Sequence, residues 1–250
     1  MLEATCVRLR NRVHRLERLI SKNFRRILRG NATQIKHYKT RVFGVCNLDL
    51  YEANKAAGTF RMPVLEPANV PVPEKLIPFN VAVRLNRVPA GRGVHFFLDD
   101  YQFERVWNAP ERYVETLRRF DCVFTPDFSL YLDMPPAMKI WNIYRARTIG
   151  QFWQREGVRV VPALSWAEPE SFEYCFDGLP RGSTLAVARI GVECNAYFGY
   201  IWNAGFAEAL RRLQPEKIFF YGKKHPLPQT DANVFFFEND RIKSLRAKCN

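Results

Sequence analysis

The chain has 250 residues, of which 47% are hydrophobic and 14% aromatic, and it carries a formal net charge of +13. This composition excludes an intrinsically disordered chain, and the length allows one large domain with an appendage. No apolar run of about 18 residues is present, and the first residues lack a secretory signal, so we predict a cytoplasmic protein without a membrane span.

The net charge is concentrated near the N-terminus. Up to Arg41 there are 12 Lys or Arg residues and two acidic residues, whereas the remaining chain has 26 basic and 23 acidic residues. Apolar residues recur at helical spacing from Leu9 to Ile27, and the other faces are basic, including Arg8, Arg12, Arg15, Arg18, Lys22 and Arg26. We therefore predict a basic amphipathic helical arm over residues 1–40.

Three uses of this arm fit its charge pattern. The arginines can neutralise nucleic-acid phosphates, which gives a salt-dependent affinity. The apolar face can instead dock on the same domain or on a second copy, which makes the protein a homo-oligomer. Basic amphipathic helices also bind anionic membrane surfaces. We expect nucleic acid as the partner, with docking or dimerisation as the principal alternative.

Residues 41–75 are predicted to form an irregular connector, because five prolines occur in "RMPVLEPANVPVPEKLIP" and each restricts the backbone. We expect this connector to lie as a strap against the domain rather than to be an element of its core. An α/β domain is predicted over residues 76–224, followed by a tail over 225–250. Its predicted strands are "IPFNVAVRL", "GVHFFLD", "CVFTPDF", "VRVVPALSW", "TLAVARIG" and "KIFFYG".

Helices are predicted between most of these strands. They are "APERYVETLRRF", the long segment from "PPAMKIWN" to Gly157, a short piece near Phe172, and "AYFGYIWNAGFAEALRRLQP". Strands that alternate with helices predict a mostly parallel sheet of about six or more strands. The sheet is either doubly wound or a TIM-barrel-like fold, complete or incomplete, and a basic N-terminal helix precedes it.

Aspartates follow two of the predicted strands. In a parallel sheet, ligands bind at the carboxyl ends of the strands, and Asp99, Asp100 and Asp127 lie there. Two such carboxylates can act as an acid and a base in hydrolysis, or they can bind a divalent cation. Short aspartates also cap helices and turns, which is the structural alternative. If Asp99 and Asp100 still belong to a strand, they point to opposite faces and have different roles.

Other polar and aromatic residues extend this predicted site. Ser129, Trp166 and Lys223 also follow strands, and the long helix contributes Asn142 and Arg145. Trp166 can stack on a base or sugar, and Arg145 can bind a phosphate or carboxylate. The alternative is that the aromatic residues of the long helix pack on the sheet while its arginines pair with acids.

Several motifs are absent from the sequence. There is no phosphate-binding Gly-rich loop, no dinucleotide-binding fingerprint, no zinc-protease motif and no nucleophile elbow, so we predict no nicotinamide, flavin or zinc cofactor. Six cysteines occur singly, which predicts neither a zinc site nor a disulfide framework. His95 alternates with the apolar residues of its strand and is predicted to be a core residue.

The motifs "DDYQFE", "PDFS" and "GLPRGS" resemble those of a domain-of-unknown-function family, number 4417, found in bacteria, phages, prophages and integrative elements. The resemblance covers about Pro78 to Gly222. It implies an α/β domain, a mobile-element setting and a location in a bacterial cell or a phage-infected host. It implies no particular reaction.

These observations lead to a main hypothesis and two alternatives. In the main hypothesis, a phage or mobile-element protein associates with nucleic acid through its basic helix and binds a nucleotide or DNA at the strand ends. In the first alternative, the strand-end aspartates belong to a hydrolase of the glycosidase or phosphodiesterase type. In the second, the protein is a non-enzymatic assembly or interaction protein.

Overall fold

A computed structural model describes residues 44–190, 192 and 195–238. The predicted arm over residues 1–40 lies outside these residues. The chain divides into a unit that ends at Asp49 and a unit that begins at Leu50. In the first unit, residues 44–49 form a turn in which the Asn47 amide donates to the Gly44 carbonyl at 3.0 Å. The second unit contains all the elements described below.

The second unit is an α/β structure with two parallel sheets of four strands each. A short antiparallel ribbon, β1 (Ala56–Ala57) and β2 (Met62–Pro63), comes first. The first sheet has the order β3 (Lys75–Pro78), β4 (Arg92–His95), β5 (Cys122–Phe124) and β6 (Val160–Val161). The second contains, in spatial order, β7 (Ala163–Leu164), β8 (Thr184–Ala188), β9 (Lys217–Tyr221) and β10 (Asn233–Phe237).

In the described part of the second unit, six α-helices lie between these strands. Four have a single turn, and the two long ones follow β5 and β8: α1 (Phe79–Ala82), α2 (Arg105–Asn108), α3 (Val114–Leu117), α4 (Pro136–Arg155), α5 (Phe172–Cys175) and α6 (Ala196–Leu213). Their positions confirm the predicted alternation of strands and helices. Parallel pairing is also confirmed, because every pair within the two four-stranded sheets is parallel.

The structure corrects three predicted elements. The predicted strand "IPFNVAVRL" ends at Pro78 and continues as α1, whose Phe79 and Ala82 are buried one turn apart. The predicted helix "APERYVETLRRF" is a 3₁₀ turn, Pro110–Tyr113, followed by the single turn of α3. The predicted strand "VRVVPALSW" is divided into β6 and β7, because Pro162 has no N–H group to donate to a neighbouring strand.

Side chains from both sheets meet in one buried cluster. Phe124 of β5 stacks with Phe219 of β9, and Ala163 of β7 and Ala186 of β8 belong to the same cluster. The proline-rich strap contributes Ala68 and Val70 to it, and Leu65 is buried in a second cluster against α6. The strap therefore supplies core residues, whereas the sequence predicted a strap that lies outside the core.

One glycine fixes the course of the strap. Gly178 has φ +73°, and a Cβ atom at this position would lie 2.3 Å from the Pro63 carbonyl oxygen. Its own carbonyl accepts from the Leu65 amide at 2.8 Å. Only glycine adopts this backbone conformation readily in so little space, so Gly178 allows β2 to approach the loop after α5.

Candidate functional site at the strand ends

Asp127 follows β5 and lies beside the end of β7. The Ser165 hydroxyl donates to Asp127 Oδ1. The carboxyl group is partly buried, and burial is the main reason that its pKa rises to about 7. The Ser165 hydrogen bond and the charge of Arg147 oppose this rise, while the charge of Asp100 adds to it. Asp127 therefore exchanges a proton near neutral pH, as a general acid or base must.

Arg147 provides a positive charge that interacts with the Asp127 carboxyl group. Its side chain is buried on α4, and Nη2 donates to the Cys175 carbonyl at 2.9 Å. Burial lowers the pKa of Arg147 to about 10, although the charge of Asp127 favours its protonated form. Arg147 Nε has no hydrogen-bond partner among the described residues. The cation thus partly balances an ionised Asp127.

Asp100 holds the loop that follows β5. Its carboxylate accepts from the Ser129 hydroxyl at 2.8 Å and from the Ser129 amide at 3.1 Å. Strand β4 has already ended at His95, so the alternation of strand faces does not apply to the two adjacent aspartates. Asp100 thus fixes the position of a loop from the neighbouring strand.

Asp99 has a different environment. Its side chain is exposed, and Gln102 Nε2 donates to Asp99 Oδ2 at 3.4 Å. It precedes the 3₁₀ turn Asp100–Gln102 but makes no side-chain capping bond. The three predicted aspartates therefore have three environments: Asp127 is partly buried, Asp100 binds a loop, and Asp99 faces solvent.

The helix residues predicted at the site belong to one hydrogen-bond network. Asn142 Nδ2 donates to the Ser129 carbonyl at 2.7 Å, and Arg145 Nη2 donates to Asn142 Oδ1 at 2.8 Å. Arg145 also pairs with Glu104, and its guanidinium carbon lies 3.7 Å from the ring centre of Phe128. The pairing of this arginine with an acid is the alternative that the sequence favoured. Ser129, Asn142 and Arg145 thus lie close together and are linked by hydrogen bonds, while Arg145 Nε has no hydrogen-bond partner among the described residues.

Trp166 packs against α6. Its ring lies 5.7 Å from Trp202 and 6.2 Å from Phe176, measured between ring centres. A Cβ atom on Gly205 would lie 2.2 Å from Trp166 Nε1, so the glycine makes room for the indole. Trp166 is half-buried rather than fully exposed as its strand-end position suggested.

Lys223 follows β9 and is exposed. His95, at the end of β4, is buried, and its Nδ1 accepts from the Phe97 amide at 3.2 Å. Its ring centre lies 4.4 Å from that of Tyr221. His95 is therefore a core residue, as predicted.

Comparison with known proteins identifies the family. Residues 54–238 match the model of the family described as "Domain of unknown function (DUF4417)". The chain belongs to this family. The "Gene 1 protein" of Mycobacterium phage D29 is 39% identical over 182 residues, and that of Mycobacterium phage L5 is 38% identical over 183 residues. The predicted resemblance to a phage-linked family is thus confirmed.

The matched region covers 72% of this chain, 66% of the D29 protein and 78% of the L5 protein. The chain therefore spans just under two thirds of the D29 relative. No solved structure is significantly similar to this chain. The DUF4417 match also includes residues 54–75 of the strap and β10, which lie outside the region where the sequence motifs showed the resemblance.

Sequence reasoning missed one ion pair near this site of the DUF4417 region. Lys139 is only 2% exposed, and its Nζ lies 2.5 Å from Glu168 Oε2 and 3.0 Å from the Leu132 carbonyl oxygen. Lys139 lies in the first turn of α4 and Glu168 in the loop after β7, 29 residues away, so no local spacing connects them. A lysine within the apolar "PPAMKIWN" helix start was the only signal in the sequence.

A second feature lies at the other end of the strands. A cavity of about 440 Å³ lies between the strap and the second half of α4, and its polar lining includes Glu52, Lys55, Glu66, Gln151, Gln154 and Arg155. Gln151 and Gln154 hydrogen-bond to the strap backbone, and Arg155 pairs with Glu52. These polar groups are therefore occupied in holding the strap.

Within the part of the chain that the structure describes, no group of three or more His, Cys, Asp or Glu residues is arranged to hold a metal ion. The same residues include no helix with the length and apolar character that a bilayer crossing requires. Cys122 and Cys175 are buried free thiols, and burial raises the pKa of each to about 12.

Proposed function

We propose that this DUF4417 protein associates with nucleic acid through its basic N-terminal segment and acts in the cytoplasm of a bacterial host. The uneven charge distribution carries the proposal: 12 of the 38 Lys and Arg residues lie in the first 41 residues, where only two acids accompany them. The relatives from Mycobacterium phages D29 and L5 support the bacterial host. In this proposal residues 1–40 are the binding arm and residues 41–75 are the connector.

The physical basis is counterion release. Each phosphate that the arm neutralises frees condensed cations. A plot of the logarithm of the affinity for duplex DNA against the logarithm of the salt concentration therefore falls with a slope of about 0.9 per phosphate contact. The rest of the chain has nearly balanced charge and supplies little of this effect. Self-association through the apolar side of the arm is the competing use of the same segment.

Matched variants of the full-length protein test the proposal. The triple variant Arg8→Gln/Arg12→Gln/Arg15→Gln is expected to reduce the salt slope for a labelled 30-mer duplex by about 2.7, which is three contacts at about 0.9 each. A control variant neutralises three exposed arginines of the described domain, Arg84, Arg87 and Arg112. Equal slopes for the two triple variants, or no binding by the wild type, would overturn the proposal.

We also propose that the two sheets are parts of one parallel barrel, complete or incomplete. Within each sheet the strands lie in chain order and are parallel to their neighbours, β3 to β6 in one and β7 to β10 in the other, and only Pro162 separates β6 from β7 along the chain. The Ala186 amide donates to the Pro162 carbonyl at 2.8 Å, which continues the pairing across this gap. The ends of β4 and β9 are not strand neighbours, yet the rings of His95 and Tyr221 are in contact.

A barrel brings the carboxyl ends of its strands together around one opening, where barrel proteins bind their ligands. Asp127, Ser165 and Arg147 are then a ligand site for a nucleotide or a DNA segment. An experimentally determined structure is expected to show continuous curvature from β3 to β10. A flat arrangement in which His95 and Tyr221 lie apart would contradict the barrel.

A second candidate function is hydrolysis of a phosphodiester or glycosidic bond. It is favoured by the pKa of Asp127, about 7, which suits a general acid, and by a second carboxylate, Asp100, after the neighbouring strand. Bis(p-nitrophenyl) phosphate and p-nitrophenyl glycosides, each with and without Mg²⁺, provide the assay. Asp127→Asn is expected to abolish hydrolysis while Asp99→Asn retains it. No hydrolysis by the wild type, or equal rates for both variants, would reject this candidate.

A further inference from the structure

Exposed aromatic side chains are concentrated at one end of the strands. Seven aromatic side chains in the described part of the second unit are exposed, and one of them, Phe60, lies between β1 and β2. The other six lie in loops or in the first two turns of helices that follow strand carboxyl ends: Tyr101, Tyr131, Trp141, Tyr197, Phe198 and Tyr200. This distribution distinguishes the carboxyl ends of the strands as an interaction surface.

Three of the six lie within the first five residues of α6. Tyr197, Phe198 and Tyr200 are 58%, 41% and 68% exposed, and the rings of the first two are 6.4 Å apart. The packing face of this helix is formed by other residues: Ile201, Trp202, Gly205, Phe206, Ala209 and Leu213. The three aromatic side chains are therefore not needed to attach the helix to the sheet.

The fold fixes where these side chains lie. Trp202 Nε1 donates to the Ala188 carbonyl at 3.0 Å, which holds the start of α6 at the end of β8. Ala188 pairs with Tyr221 of β9, and Lys223 and Lys224 follow after one intervening residue, Gly222. Both lysines are exposed. The ends of two neighbouring strands thus present three exposed aromatic residues and two exposed cations, which we call the basic aromatic patch.

We propose that the basic aromatic patch binds single-stranded nucleic acid, with bases stacked on Tyr197, Phe198 and Tyr200 and phosphates paired with Lys223 and Lys224. Proteins that bind single strands combine such stacking side chains with cations that contact the backbone. A duplex keeps its bases stacked on one another and cannot use the aromatic residues in this way. The inference rests on the proposed association with nucleic acid and adds its substrate class, a single strand.

The full-length protein can be tested with a fluorescein-labelled 20-nucleotide oligo(dT) and a duplex of the same length. Tyr197→Ala/Phe198→Ala/Tyr200→Ala is expected to weaken oligo(dT) binding at least about tenfold, because the variant loses every base-stacking ring of the patch. Duplex binding is expected to change less than twofold. Tyr197→Phe/Tyr200→Phe keeps the rings and is expected to bind oligo(dT) like the wild type.

The outcomes separate this inference from the proposed function. If the wild type binds neither probe, both fail. If the wild type binds and the alanine variant retains its oligo(dT) affinity, or loses affinity for both probes equally, the patch proposal is wrong and the association stands. A lower molecular mass of the alanine variant in sedimentation, with unchanged oligo(dT) affinity, would assign the patch to contacts between copies of the chain.

Discussion

Asp127→Asn is expected to remove a specific pH dependence of stability. The folded protein holds the Asp127 carboxyl with a pKa of about 7, against an ordinary value of 3.8. Between these two pH values the folded state binds about one more proton than the unfolded state, so stability falls as pH rises. The contribution of this carboxyl is fully present below about pH 4 and is lost as pH rises through 7. Asparagine has the same shape and does not titrate.

The magnitude follows from the shift. A pKa difference of about three units corresponds to about 4 kcal/mol between the limits, of which about 2–3 kcal/mol falls between pH 5 and pH 7. Urea unfolding of the two proteins at pH 5, 6, 7 and 8 provides the assay. The difference in unfolding free energy, variant minus wild type, is expected to rise from pH 5 to pH 7 and to level off above it. Other titrating groups are common to both proteins and cancel.

Ser165→Ala provides a second check. The Ser165 hydroxyl donates to the carboxylate and lowers the pKa of Asp127, so its removal is expected to move the upper limit of the window above pH 7. A constant difference between Asp127→Asn and the wild type from pH 5 to pH 8 would refute this reasoning. It would mean that Asp127 is solvated and ionised over the whole range, and that no proton-exchanging site exists at the strand ends.

Three other predictions concern packing and polar contacts, and urea unfolding measures all of them. Asp100→Asn is expected to destabilise the fold by about 1–3 kcal/mol, because it weakens the hydrogen bonds from Ser129 that hold the loop after β5. The control Asp99→Asn is expected to change stability by less than about 0.5 kcal/mol. Equal effects of the two variants would contradict this prediction. Lys139→Met leaves a partly buried carboxylate without its cation and is expected to cost about 3–5 kcal/mol; a cost below about 1 kcal/mol would show that the pair is solvated. Gly205→Ala is expected to reduce the free energy of unfolding by about 1–3 kcal/mol, because the new methyl group clashes with the Trp166 indole. Gly199→Ala has open space around it and is expected to stabilise α6 by about 0.5–1 kcal/mol. Changes of the same sign in the two variants would contradict this packing.

Elements with local boundary signals were predictable from the sequence. The helix α4 begins after Pro135 and ends before Gly157, because proline favours the first turn and glycine adopts the positive φ that ends a helix. Strands β8 and β9 were equally clear, since each is a short apolar run next to a turn.

Elements decided by tertiary context were not predictable. Residues 79–82 alternate like a strand, but burial of Phe79 and Ala82 on one side makes them a helical turn. Strand β10 lies in a segment assigned to the tail, and it forms because β9 offers a free edge in the sheet. The split of the fourth predicted strand depends on the single missing donor of Pro162.

The candidate site was predictable in composition and not in detail. Strand ends of a parallel sheet place Asp100, Asp127 and Ser129 near one another, and the structure does so. The partners depend on distances between loops, which no spacing in the sequence encodes. The sequence therefore did not predict that Ser165 donates a hydrogen bond to Asp127, or that Asp100 accepts one from Ser129.

Cross-linking tests the central claim, association with nucleic acid, most directly. The full-length protein is irradiated with a 4-thiothymidine-labelled single strand, and the cross-linked peptides are identified by mass spectrometry. Cross-links are expected in residues 1–41 and at Tyr197–Tyr200 and Lys223, and they should disappear from the first region as salt rises. No cross-links, or cross-links confined to the β1–β2 ribbon and the cavity beside the strap, would contradict the account.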